Sequence, residues 1–136
     1  MNIAVVSITI FNKKCLFLKR NFEPKNWCPP CGRLEEDEEP IDGVKREVLE
    51  ETNLKIIPLM PVDAKVVLYN NKNLYSITYV SIASSNKVKL SKEHSDYKWV
   101  DIEDLKDVDI NTDFKIVNWP LFIETAFLYA KQKKTI

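Results

Sequence analysis

A chain of 136 residues with 45% apolar and 29% charged side chains can bury one substantial core and is too apolar to be disordered. Its 20 basic and 20 acidic residues cancel to a formal net charge of zero, which argues against a nucleic-acid polymer clamp or a polybasic membrane anchor. The charge is nonetheless clustered, because nine of the acids fall between Glu35 and Glu51.

The opening "MNIAVVSITI" is apolar but has no basic leader or small-residue cleavage site, and it is too short to span a membrane. It is expected to be a buried strand, and the protein to be cytoplasmic. "KCLFLKR" follows a short polar turn and should pair with the first strand as a hairpin. "NFEPKNWCPPCGRLEEDEEP" holds three prolines before its last residue and one glycine, so a long ordered loop is expected, a kind of segment that usually carries function. A helix should begin near Pro40, where proline suits the first turn, and run to about Thr52.

"LKIIPLMPVDAKVVLY" and "LYSITYVSIAS" read as strands joined through the turn-forming "NNKN". "HSDYKWV" reads as a further strand, and "DIEDL" as a short helix opened by Asp101. The final "NWPLFIETAFLYAKQKK" should be a helix with Pro120 near its start and a basic last turn that complements the helix dipole. Strands and two main helices are mixed without strict alternation. This predicts an α/β protein with a mixed sheet and helices packed on it. No internal repeat or linker interrupts the chain, so a single domain over residues 1–136 is expected. The oligomeric state is left open, with a homodimer among the options.

The chemistry concentrates in the first helix. At about 100° per residue, Glu47, Glu50 and Glu51 share one arc beside an apolar stripe of Ile41, Val44 and Val48. One side should pack on the sheet while the adjacent side presents three carboxylates to a cleft. A solvated acidic surface is the bland alternative. Against it, no basic residue follows at the positions that would neutralise Glu50 and Glu51 along the helix, and negative charge collected in this way awaits a cation. An all-oxygen donor set suits Mg²⁺ or Mn²⁺ better than zinc, and Mg²⁺ commonly combines carboxylates with substrate phosphates. Gly32 and Gly43 are the only glycines, so a glycine-rich phosphate cradle is excluded.

Gly32, Glu38 and "REVLEETNL" from Arg46 to Leu54 together resemble the Nudix hydrolase family. Its box is a glycine, five residues, a glutamate, seven residues, then Arg-Glu-aliphatic-any-Glu-Glu-any-Gly-aliphatic. Eight of the nine specified positions match over 23 residues. Asn53 replaces the glycine that ends the helix, Cys31 stands where a second glycine often precedes Gly32, and Asp37 replaces a common loop glycine. The resemblance implies an α/β/α sandwich whose loop-helix-loop binds a divalent ion, and an enzyme that cleaves a nucleoside diphosphate linked to another group. It implies Glu50 and Glu51 as metal ligands, Glu47 as a ligand or the group orienting the attacking water, and Glu93 as a further ligand or base. Arg46 would hold a carboxylate in place, and Glu38 would support the loop or ligate a metal. Nucleoside triphosphates, dinucleoside polyphosphates and ADP-sugars are the substrate classes in view. The rival is a Nudix-fold module that binds a nucleotide without hydrolysing it, which the joint presence of Glu47, Glu50 and Glu51 disfavours.

"CPPC" from Cys28 to Cys31 could be redox-active or half a zinc site, with Cys15 and His94 the only other soft ligands; partly buried loop thiols are the expected reading. His94 is expected at a strand end, where it could touch a phosphate. Among the aromatics, Trp27 is the first candidate to stack on a base, and Tyr97 and Trp99 are expected to pack. Arg20 and Arg33 are candidates to meet phosphates.

Overall fold

A computed structural model describes residues 2–23, 25–108 and 119–132. The expected helical positions at 118 and 133–134, including Lys133 and Lys134 of the basic last turn, lie outside the described residues.

The first strand, β1 (Ile3–Phe11), is buried along almost its whole length, as its run rich in Ile and Val suits in a central strand. It turns through Asn12 and Lys13, both at positive φ, into β2 (Lys14–Arg20). The expected hairpin is real but short: only Ile10↔Cys15 and Phe11↔Lys14 pair. Beyond that point the two strands part, and the wedge between them takes the "WCPPCGR" segment. There β3 (Trp27–Cys28) adds to β2, and β4 (Cys31–Arg33) adds to β1. The segment expected to be a continuous loop therefore contributes two short strands.

The helix α1 runs over Pro40–Thr52, within the bounds expected from its N-terminal proline and apolar spacing. The long strands β5 (Ile56–Tyr69) and β6 (Lys72–Ala83) form a hairpin around Asn70 and Asn71, both at positive φ, which suits the twist of a two-residue turn. β6 pairs in parallel with β1 from Ile3↔Tyr75 to Ile10↔Ile82, which makes the sheet mixed. β7 (His94–Asp101) pairs with β2. A 3₁₀ turn follows over Ile102–Asp107; Asp101 precedes it but makes no capping hydrogen bond with its side chain, unlike the expected opening. The last helix is α2 (Trp119–Gln132).

Strand alternation divides the core into two layers. Val6, Ile8 and Ile10 of β1 and Cys15 and Phe17 of β2 pack with Ile123 and Ala126 of α2. Val5 of β1 and Leu16 and Leu18 of β2 point the other way, onto Val44 and Val48 of α1. The result is the expected α/β/α sandwich. Ile41 corrects one detail: it is exposed, and Gly43, Glu51 and Thr52 are buried instead. No helix among the described residues is long and apolar enough to cross a membrane.

Candidate functional site

The expected carboxylate face of α1 exists, and its packing explains its precision. Val44 and Val48 are fully buried beneath it. Gly32 of β4 lies so close that a Cβ there would overlap the carboxyl group of Glu47. Gly43 has the same kind of need, since a Cβ would press on Leu34. Asn53 ends the helix in the left-handed region, at φ 61° and ψ 16°, with its N–H donating to Leu49 O. Asp37 also sits at positive φ, 60°, so two of the three departures, Asn53 and Asp37 but not Cys31, keep a glycine-like backbone.

Arg46 organises the acids around it. Its Nε and Nη2 donate to the two oxygens of Glu38 at 2.7 and 2.9 Å, a bidentate fork, and Nη2 also reaches Arg33 O at 3.0 Å. Its Nη1 donates to Glu47 Oε1 at 2.9 Å and to the Glu50 carboxylate at 3.3 Å. The expectation that Glu50 goes uncompensated is thereby corrected. The neutralising charge comes from the N-terminal side of the helix, four residues earlier. Arg46, followed by the Glu35 backbone N–H, holds the Glu38 carboxyl at about 2, well below the usual carboxylate range. Glu38 thus ties the loop to the helix.

Glu51 is in a different situation. It is only 4% exposed, and burial pushes its carboxyl well up, with Cys31, Glu47 and Glu93 adding to the effect. Its Oε1 accepts the Cys31 N–H at 3.0 Å. Glu47 is half-buried and also raised, by burial first, although Arg46 opposes this. Glu93 comes from a distant loop that is fastened at both ends. Lys89 N–H and Ser91 N–H donate to Thr52 O and Glu51 O at the end of α1, at 2.9 and 3.2 Å, and Asn21 N–H donates to Glu93 O at 2.9 Å. Through this tether Glu47, Glu50, Glu51 and Glu93 line one hollow.

That hollow adjoins a cavity of about 180 Å³, with Glu51 and Glu93 lining both. Arg20, Arg33, Cys28, Cys31 and Gly32 line the cavity as well, at the place where β1 and β2 part. The Arg20 guanidinium lies 4.4 Å from the centre of the Phe22 ring, and that of Arg33 lies 5.4 Å from Tyr69. Trp27 does not line the cavity. It packs against the α2 layer with Lys98 Nζ 4.1 Å from its ring centre, so Phe22 and Tyr69 hold the place expected for it. Strand alternation accounts for this: Trp27 is one residue from Cys28, which does face the cavity. Trp99 packs on Phe11 as expected, whereas Tyr97 is exposed.

His94 is the residue that sequence reasoning undervalued. It begins β7 and is 8% exposed, and its Nε2 stands 3.9 Å from Glu51 Oε2. Burial lowers its affinity for a proton. Glu51, Glu93 and His94 offer donor atoms that all lie within 4.8 Å of one another, the one such trio among the described residues. The signal in the sequence was its adjacency to Glu93. Cys28 and Cys31 are free thiols, and the hydrogen bond with Cys28, followed by burial, pushes Cys31 well up, the opposite of what a reactive thiol needs. A donor set of four carboxylates, one of them the buried Glu51, fits a hard divalent cation.

A family description of the NUDIX domain matches residues 1–120. An RNA pyrophosphohydrolase from Pelagibacter ubique (strain HTCC1062) is 27% identical over 132 residues, with 82% of each chain covered. An asymmetrical bis(5'-nucleosyl)-tetraphosphatase from Caenorhabditis elegans is 28% identical over 94 residues, covering 65% of this chain and 68% of that protein. Among solved structures, the MutT protein from Methanosarcina mazei Go1 is similar with a TM-score of 0.75 at 27% identity, covering 95% of this chain and 94% of that one.

Proposed function

The chain belongs to the Nudix hydrolase family, and from that premise we propose that it is a divalent-metal-dependent pyrophosphohydrolase of a nucleoside diphosphate-linked compound, cleaved by attack of water at phosphorus. The observation that carries this reading is the convergence of Glu47, Glu50, Glu51 and Glu93 on a hollow that adjoins a cavity lined by Arg20 and Arg33. Facing carboxylates favour a cation, and guanidinium groups favour phosphate, so the two halves suit the two parts of a metal–nucleotide substrate.

Glu50, Glu51 and Glu93 would hold Mg²⁺ or Mn²⁺, with Glu47 beside them, and the bound ion would supply positive charge to the phosphate oxygens as negative charge develops there. The chain's own groups do the rest. Arg46 fixes Glu47 and Glu50, and Glu38 fixes Arg46. The Cys31 N–H sets the orientation of Glu51. Glu47, raised by burial and held by Arg46 beside the ligands, would orient the attacking water and accept its proton. Arg20 and Arg33 receive the phosphates on the cavity side, and Phe22 and Tyr69 offer ring surface to a nucleoside.

The names of the relatives support a nucleotide that carries a chain of phosphates. The formal net charge of zero favours a small nucleotide over a long polymer. The test is a product-resolved panel of nucleoside triphosphates, dinucleoside polyphosphates, ADP-sugars and 5'-triphosphorylated RNA, with Mg²⁺ or Mn²⁺. Turnover of the preferred compound should fall by orders of magnitude in Glu50→Gln and Glu51→Gln proteins that remain folded by circular dichroism. Near-normal rates in either variant would refute the assignment. Tight nucleotide binding without turnover by the wild type would instead identify a sensor module.

A further inference from the structure

The four acids around the hollow account for an all-oxygen cation site, but His94 lies against that site too. It is more than nine-tenths buried, and its Nδ1 has no hydrogen-bond partner among the described residues. Its Nε2 faces Glu51 Oε2 at 3.9 Å, well beyond hydrogen-bonding distance. The orphaned atom is Nδ1, which needs a water or other partner of its own, so it is the placement of Nε2 beside Glu51 and Glu93 that points to an ion. Two donors each about 2.1 Å from one ion lie about 3 to 4 Å apart, which is the separation found between Nε2 and Oε2. Glu51 has already committed Oε1 to the Cys31 N–H, so Oε2 is the oxygen left to the ion.

We propose that His94 Nε2 is a ligand in the carboxylate site with Glu51 and Glu93, so that the centre in this chain is a mixed imidazole–carboxylate one. The proposal rests on the metal-dependent reading above and adds the identity of the ion. Mg²⁺ prefers oxygen and keeps its waters, whereas the affinity of a site that includes nitrogen rises through the first transition row, from Mn²⁺ as its weakest member. A nitrogen donor at this position therefore tilts the site away from Mg²⁺ and towards Mn²⁺ or Co²⁺.

The experiment is a titration of metal-free, full-length protein with Mn²⁺, read by pulsed electron paramagnetic resonance and by calorimetry, with no nucleotide present. The wild type should show the ¹⁴N coupling of a directly bound ring nitrogen. In His94→Gln that coupling should vanish, and Mn²⁺ affinity should fall about tenfold or more. Mg²⁺ affinity should change by less than about threefold in the same variant. A wild-type spectrum without ¹⁴N coupling, or unchanged Mn²⁺ affinity in folded His94→Gln protein, overturns the proposal and leaves the hydrolase reading standing. If His94→Gln does not fold, the wild-type spectrum alone decides. Nitrogen-bound Mn²⁺ in a protein that turns over no nucleotide supports the ligand and strikes the hydrolase reading instead.

Discussion

Gly32 is a glycine because of what leans on it and not because of its backbone angles. The Glu47 carboxyl group occupies the space where a Cβ would be. Since the obstructing atoms are the far end of a flexible side chain, Gly32→Ala should leave the fold in place and push Glu47 aside. The expected result is a melting temperature close to wild type with turnover lowered by about 10²-fold, the scale of a misplaced catalytic group. Paired thermal melts and kcat measurements check it; equal losses in both would point to a folding defect. Asn53 and Asp37 show the complementary case, in which the backbone does need the left-handed region and a non-glycine residue takes it. Glu47, Glu50 and Glu51 were clear in the sequence because helical spacing alone places them on one face. The sequence did not show that Arg46 reaches forward to Glu47 and Glu50 and back to Glu38, because the last of these contacts runs between segments.

At the scale of the element, α1 and the loop before it are held together by the Arg46–Glu38 fork. The sign of its pH dependence follows from the depressed Glu38 carboxyl, at about 2 against an ordinary value of 4.5. Its contribution to stability is present above the unfolded value and is lost as pH falls from there through the folded value. Glu38→Gln should therefore unfold more readily than wild type at pH 6 to 7, and the difference should shrink steadily below about pH 4. Denaturant midpoints across that range test this, and a difference independent of pH would exclude the ion pair as its cause. The bounds of α1 were legible because Pro40, the buried valines and Asn53 each mark them locally. β3 and β4 were not, since two and three residues are too few to carry a period and both exist only as additions to β2 and β1. Ile41 misled for a related reason: it lies on the helical stripe, but at the first turn, before α1 meets the sheet.

Across the whole molecule, the two core layers separate stability from chemistry. Ile123 is fully buried in the α2 layer, on the face of the sheet opposite α1. Ile123→Ala should destabilise by about 3 kcal/mol through the cavity it leaves, yet keep kcat per folded molecule within about twofold. Chemical denaturation and active-site titration together check this, and a large loss of kcat at full folding would show that the layers are coupled. The mixed sheet and two-layer packing were readable from strand and helix patterns, whereas Glu93 was placed with Glu51 only by the family resemblance and His94 was not placed there, because both depend on how the 84–93 loop folds back. That loop donates the Lys89 and Ser91 amides to the last carbonyls of α1. Any fluctuation that carries Glu93 away from Glu51 has to break those two bonds first. The exchange of two backbone protons with solvent thus becomes a clock for the assembled centre, slow while it is intact and slower still once a cation bridges the acids it joins.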